Sequence, residues 1–504
     1  MCPCIFPVLG ISFSVSSLSD ALYKGRGWEV SSNLGAAEHA GVFWVSFISL
    51  GGLDHGCRIL EVRRMTKITI IGGGSSTFTP QLMRLFIESE VLSGSTITLM
   101  DIDEHRLRVM ESLSRQLIRK ENADLRVETT TDQRESLVDA DFVITAIAVG
   151  GSDAWEVDIE LPAKYGVYMP VGDSVGPGGI MRAFRHIPVL VSVGRDLEEV
   201  SPDAIVFNYT NPVTANTLAM RRYTRVNSFG LCSCSSIPRN GKYLSSRILG
   251  VDAEDLALPA PAGGINHCSA ILELRFKDGA DAFPLAREKV ENPVQRHFLE
   301  NYGVLPYCWS HWIEFFPTLC KLEEEYRGRL QGLRMKYGIH VHDMKRERER
   351  AKKWETLVKN MALGKEEISL DVLPSGESIE VVQIIEAILE NRNEIFVVNV
   401  PNDGAISNLP EDAVVEVSCA VGRYGIRPIR VGELPDSIAA TLRSHIAAQK
   451  LTVEAAVTGD RDVAYRAFLQ DPQVSSRLSL DEAGKLLDEM LNAHAEYLPR
   501  FFKS

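Results

Sequence analysis

Lys67-Ile68-Thr69-Ile70-Ile71-Gly72-Gly73-Gly74-Ser75-Ser76-Thr77 is a short, largely β-branched run that stops in a glycine turn. From Pro80 an apolar stripe at helical spacing follows, carried by Leu82, Leu85, Phe86 and Val91. Strand, glycine turn and helix in that order bring backbone N–H groups and a helix N-terminus to one point, where a pyrophosphate binds. Thr77 stands where the usual fingerprint has its third glycine.

Working outward, Thr96–Met100 reads as a second strand that ends at Asp101-Ile102-Asp103. A carboxylate there grips ribose hydroxyls and repels a 2′-phosphate, which favours NAD over NADP. A third strand is expected within 141–148, ending before Gly150-Gly151. The expected cofactor-binding residues are Gly72, Gly74, Ser75, Ser76, Thr77 and Asp101.

The chain has 504 residues, of which 45% are hydrophobic and 24% charged, with a net charge of -13. That composition excludes a disordered or fibrous chain and leaves no bulk charge for nucleic acid. Nine cysteines without a repeating spacing do not make a disulfide framework, so reduced thiols and a cytoplasmic enzyme are expected. The longest apolar run, residues 41–50, is too short to span a bilayer. Residues 1–64 lack a sustained period of 2 or 3.6 and read as a disordered or non-native extension, with the functional start at Met65.

Four further segments are polar and glycine-rich: 172–182 (GDSVGPGGIMR), 208–216 (NYTNPVTAN), 230–236 (GLCSCSS) and 263–267 (GGINH). With the glycine turn, residues 99–103 (LMDID) and 399–405 (NVPNDGA), they resemble glycoside hydrolase family 4 from about Lys67 to the C-terminus. The likeness is strongest to its branch acting on unphosphorylated α-galactosides and α-galacturonides. It implies an NAD- and divalent-metal-dependent glycosidase, with manganese the expected metal. In such an enzyme C3 of the sugar is oxidised, C2 loses a proton, the C1 leaving group departs and water adds before C3 is reduced again.

By the same resemblance Cys232 and His267 are the metal ligands, Asn211 contacts sugar hydroxyls, and Asp173 and Arg182 add polar contacts. Two departures stand out. Where relatives carry His or Asp after the metal cysteine, this chain has Ser233, then Cys234, and a serine hydroxyl is not a general acid near neutral pH. In 303–317 (GVLPYCWSHWIEFFP) relatives place an acidic residue or Tyr near C2; here Tyr307 and His311 are both candidate bases beside Cys308 and Ser310. The aromatic residues around them fit either core packing or a wall beside a sugar face. Residues 345–353 (KRERERAKK) read as a solvated helical face.

The expected architecture is α/β: a Rossmann-type NAD-binding domain at about 67–225, then an α/β substrate, metal and oligomerisation domain over 226–504. The latter has a helical C-terminal part, as in lactate and malate dehydrogenases. The expected function is an α-glycosidase, foremost an α-galactosidase, acting on a small-molecule glycoside as a homodimer or homotetramer. The alternatives are an α-galacturonidase and a sugar 3-dehydrogenase that does not hydrolyse.

Overall fold

The computed structural model describes residues 65–376 and 379–502, together with one antiparallel pairing of Gly35–Ala36 with Phe43–Trp44. The chain forms two compact units, Met1–Thr66 and Lys67–Ser504. The expectation for residues 1–64 otherwise lies outside the described residues.

In the second unit six strands pair in parallel: β1 (Lys67–Ile71), β2 (Thr96–Met100), β3 (Arg126–Thr130), β4 (Phe142–Thr145), β5 (Ile205–Asn208) and β6 (Asn227–Gly230). Their spatial order is β3-β2-β1-β4-β5-β6, the doubly wound order of a dinucleotide-binding sheet. β1, β2 and β4 are short apolar runs because helices cover both faces. Pro80 lies inside the first turn of α1 (Phe78–Glu88), where its missing N–H costs nothing.

The sheet continues antiparallel through β7 (Ala262–Ile265), β8 (Cys268–Ile271), β9 (Leu305–Pro306), β10 (Glu394–Pro401), β11 (Val414–Gly422) and β12 (Gly425–Pro428). β10 joins β6 through the pair Asn399–Gly230, and β11 joins β7 through Glu416–Gly264 and Val417–Gly263. One sheet of twelve strands therefore runs from the nucleotide-type edge to the far end of the unit. The expected α/β architecture, Rossmann half included, is what the chain forms.

Three helices dominate the C-terminus: α7 (Asp436–Thr458), α8 (Arg461–Gln470) and α9 (Leu480–Ala493). They pack on α4 (Gly176–Val200), which follows α2 (Glu104–Lys120) and α3 (Gly151–Ala163) in the chain, and α7 also packs on α5 (Val213–Tyr223). Phe184, Val453, Phe468, Leu486 and Met490 are buried in that contact, each contributing about 1.5–3 kcal/mol. No helix among the described residues is long and apolar enough to cross a membrane.

Candidate active site

The glycine turn is shaped by close approach. Gly72 has φ 97°, and a Cβ there would lie 2.3 Å from the Ala146 carbonyl oxygen. Gly72 and Gly73 both donate to the Met100 carbonyl, at 2.9 and 2.8 Å. Asp101 ties the turn to the end of β2: its Oδ2 accepts from Gly74 N at 2.9 Å and its Oδ1 from Asp103 N at 3.0 Å. Ser75 Oγ accepts from Phe78 N at 3.1 Å and so helps close the start of α1, whereas the Thr77 side chain is exposed. The Ser76 carbonyl accepts from the Trp354 indole at 2.7 Å. Trp354 lies on α6 (Met344–Ala362), whose charged face is solvated as expected.

A cavity of about 240 Å³ opens beside this turn, lined among others by Gly74, Ser76, His105, Arg106, Lys352 and Glu355. With the glycine N–H groups taken up inside the turn, the donors left are those of Ser76 and Thr77 at the start of α1; with the carboxylate at the end of β2 and the adjoining cavity they fit a dinucleotide.

A second group of polar residues gathers near the C-terminal ends of β5 and β6. Phe78 at the start of α1 packs on Tyr209, ring centroids 5.1 Å apart, which links the turn to the 208–216 loop. His186 fixes that loop. Its Nε2 accepts from Val149 N at 3.0 Å, so its Nδ1 is the donor to the Asn211 carbonyl at 2.6 Å. Asn211 Nδ2 in turn donates to Asp173 Oδ2 at 2.7 Å. Burial pushes the Asp173 carboxyl up, but His311, Arg182 and His267 outweigh it and hold the group at about 2. The Arg182 guanidinium lies over the Trp155 ring at 5.1 Å, with its Nε buried and without a hydrogen bond.

Cys232 caps the one-turn helix Ser233–Ser235, and its Sγ accepts from Cys234 N at 3.3 Å. His267 sits in the two-residue turn between β7 and β8 with φ 67°, the left-handed conformation that such a hairpin turn requires. Cys232 Sγ lies 3.4 Å from His267 Nδ1. Burial disfavours a charged His267, yet attraction to Cys232 raises its pKa to about 9. A cation can take the place of that proton. His267 Nε2 is buried without a partner, as are Asn211 Oδ1 and Asn266 Oδ1. Unsatisfied buried acceptors beside a thiol and an imidazole fit a metal and a hydroxylated ligand.

His311 stacks on His267 with ring centroids 4.1 Å apart. Burial first, and then the His267 charge, lowers its pKa to about 3, which leaves a neutral imidazole. Tyr307 is buried and its hydroxyl donates to Glu416 Oε2 at 2.9 Å. Burial and the nearby Glu416 push the phenol well above its ordinary range. Ser233 is exposed on its turn.

Thus Cys232, His267, Asp173, Asn211, Arg182, His311 and Tyr307 are brought to one region. Glu416 was not anticipated. It is fully buried, accepts from Tyr307, Asn266 at 3.1 Å and Asn399 at 3.0 Å, and is raised to about 7 by burial and Cys232. A single carboxylate in the apolar strand Val414–Gly422 was its trace in the sequence. Glu314, which accepts from Val171 N and Gly172 N at 2.6 and 2.8 Å, was missed in the same way.

Comparison with known proteins gives a consistent family. The profile described as "Family 4 glycosyl hydrolase" matches residues 67–237, and that of the family's C-terminal domain matches residues 262–474. An α-galactosidase of Bacillus subtilis (strain 168) is 33% identical over 448 residues, 87% of this chain and 100% of its own. An α-galacturonidase of Lachnoclostridium phytofermentans is 30% identical, covering 86% and 97%. Among solved structures, a 6-phospho-α-glucosidase from gut microorganisms, in complex with NAD and Mn2+, superposes with a TM-score of 0.73 at 22% identity, covering 86% and 99%.

Proposed function

The chain belongs to glycosyl hydrolase family 4, and from that premise we propose that it is an NAD- and Mn2+-dependent α-glycosidase whose substrate is an α-galactoside. The observation that carries this reading is the convergence of Cys232, His267, Asn211 and Asp173, with unsatisfied buried polar atoms, near the carboxyl ends of a Rossmann-ordered sheet. The α-galactosidase likeness over 87% of the chain supports the sugar. NAD and Mn2+, present with the solved relative, suit the glycine turn and the Cys/His pair.

When bound, these groups supply a hydride acceptor and a Lewis acid. The chain's own residues do the rest. Gly72 to Gly74 shape the turn, Ser76 and Thr77 at the start of α1 present their backbone donors to the pyrophosphate, and Asp101 holds the ribose end. Cys232 and His267 hold the metal. Asp173 and Asn211 orient sugar hydroxyls, with the His186 imidazole fixing the Asn211 backbone.

Of the two candidate bases, His311 is favoured on geometry; with its pKa lowered to about 3 it is a weak base, which the acidity of a C2 proton beside a C3 ketone offsets. The Tyr307 hydroxyl is committed to Glu416, whereas the His311 Nδ1 lies against Cys308 and Ser310 and leaves Nε2 to take the C2 proton. Tyr307 and Glu416 hold the Asn266–His267 turn in place. Ser233 cannot protonate the departing oxygen, so solvent does, and substrates with good leaving groups react fastest.

A second reading, α-galacturonidase, is favoured by the unpartnered Nε of Arg182, a cation able to meet a uronate carboxylate. Nitrophenyl α-galactoside and α-galacturonide, each assayed with and without NAD+ and Mn2+, separate the two. Faster turnover of the galactoside supports the first reading, and faster turnover of the galacturonide the second. Net NADH formation without nitrophenol release shows a sugar dehydrogenase instead. The protein is read as a homodimer or homotetramer, which sedimentation of the purified protein checks.

A further inference from the structure

Around the Cys232–His267 pair stand three more metal-binding side chains that the family resemblance does not use: Cys234, Cys308 and His311. The Cys232, Cys234 and Cys308 sulfurs lie within 4.8 Å of one another, and so do the donor atoms of His267, Cys308 and His311. Cys308 is the residue common to both sets. It is buried, yet three of its neighbours are polar: its Sγ is 3.3 Å from His267 Nδ1, 3.4 Å from His311 Nδ1 and 2.9 Å from Cys234 Sγ.

Coordination geometry sorts these contacts. Metal bonds of about 2.3 Å to sulfur and 2.0–2.1 Å to nitrogen place two donors of a tetrahedral ion about 3.5 Å apart for S···N and 3.8 Å for S···S. Cys232 to His267 at 3.4 Å, Cys308 to His267 at 3.3 Å and Cys308 to His311 at 3.4 Å all match the S···N edge, and His267 Nδ1 is the nitrogen that both sulfurs share. Cys234 and Cys308 at 2.9 Å are too close to be two sulfurs on one ion. In that contact the Cys308 thiol donates to Cys234 Sγ, a proton that metal binding would release, and Cys234 donates its backbone N–H to Cys232 Sγ. Cys234 thus touches both sulfurs and fixes where they stand.

We propose that Cys308 is a third protein ligand, so that the centre of this chain holds a divalent metal through two sulfurs and one imidazole, with a position left open. Cys234 positions the two sulfurs and is not itself a ligand. The inference rests on the metal site proposed above and deepens it: two thiolates make the centre soft, so Co2+ and Zn2+ bind it far more tightly than Mn2+.

The test is titration of the metal-free full-length protein with Co2+ under anaerobic reducing conditions, read by the near-ultraviolet sulfur-to-cobalt absorption. The expected intensity per bound cobalt falls to about half in Cys308→Ser and in Cys232→Ser, and stays at the wild-type level in Cys234→Ser. X-ray absorption of the Zn2+-loaded wild-type protein requires no substitution, and two sulfur neighbours at about 2.3 Å are expected. One sulfur neighbour, with full intensity retained in folded Cys308→Ser, overturns the role of Cys308 and leaves the Cys232–His267 site intact. Absence of any sulfur–cobalt band in the wild-type protein overturns both this inference and the metal site on which it rests.

Discussion

Glu416 receives hydrogen bonds from Tyr307, Asn266 and Asn399, and the His267 charge acts on it through space. Its Oε1 accepts from two amides and its Oε2 from the Tyr307 hydroxyl, so an amide in its place keeps the first two contacts only by facing its own N–H at the Tyr307 oxygen, and the charge-assisted bond from Tyr307 is lost. Glu416→Gln is therefore expected to destabilise the folded protein by about 2–4 kcal/mol and to weaken metal binding, read by denaturant unfolding and metal titration. Retained stability would show that the three contacts are weak. Ser233 permits a gain-of-function test. Ser233→Asp puts an acid beside Cys232, and its turnover of alkyl galactosides is expected to rise about tenfold relative to aryl ones. An unchanged ratio of the two rates would remove leaving-group protonation from the role of this position. Glu416 and Glu314 were hard to find in the sequence because one carboxylate in an apolar stretch reads as noise until its partners, 17 to 150 residues away, fold around it.

The turn after β1 was legible because its constraints are local. A β-branched run, three glycines and a helical stripe specify strand, turn and helix without distant help. Gly72→Ala tests it. Its φ of 97° and the 2.3 Å approach to Ala146 predict a loss of at least about 2 kcal/mol and of NAD binding, measured by thermal melts with and without cofactor. Trp354→Phe removes the bond to the Ser76 carbonyl and is expected to raise the NAD Kd several-fold while leaving metal binding unchanged. β3 escaped the sequence reading because it is a half-exposed edge of mixed composition, RVETT. β5 and β6 escaped because the glycine-rich and polar residues at their carboxyl ends masked four-residue strands. The Cys/His pairing was readable only through the motifs, since 35 residues separate Cys232 from His267 and nothing local brings them together.

Glu314 gives the whole molecule a pH response. Burial, with the Asp173 charge adding to it, raises its carboxyl from an ordinary 4.5 to about 8. The folded state then holds this proton more tightly than the unfolded state, so the Glu314 contribution to stability falls as pH rises from about 4.5 to about 8. Glu314→Gln is expected to flatten that slope and to be more stable than the wild type at pH 8 by about 1–2 kcal/mol, read by melts across the range. A parallel slope in both proteins would mean Glu314 is ionised throughout. A chain beginning at Met65 is expected to keep full cofactor-dependent turnover, since the family match starts at residue 67. At the same scale, nitrophenol release from aryl α-galactoside, followed together with NADH absorbance, asks whether the glycine turn and the Cys/His site act as one enzyme. Release that needs both NAD+ and Mn2+, with no net NADH formed, is the expected result. Release at the same rate without NAD+ would contradict a redox–elimination glycosidase.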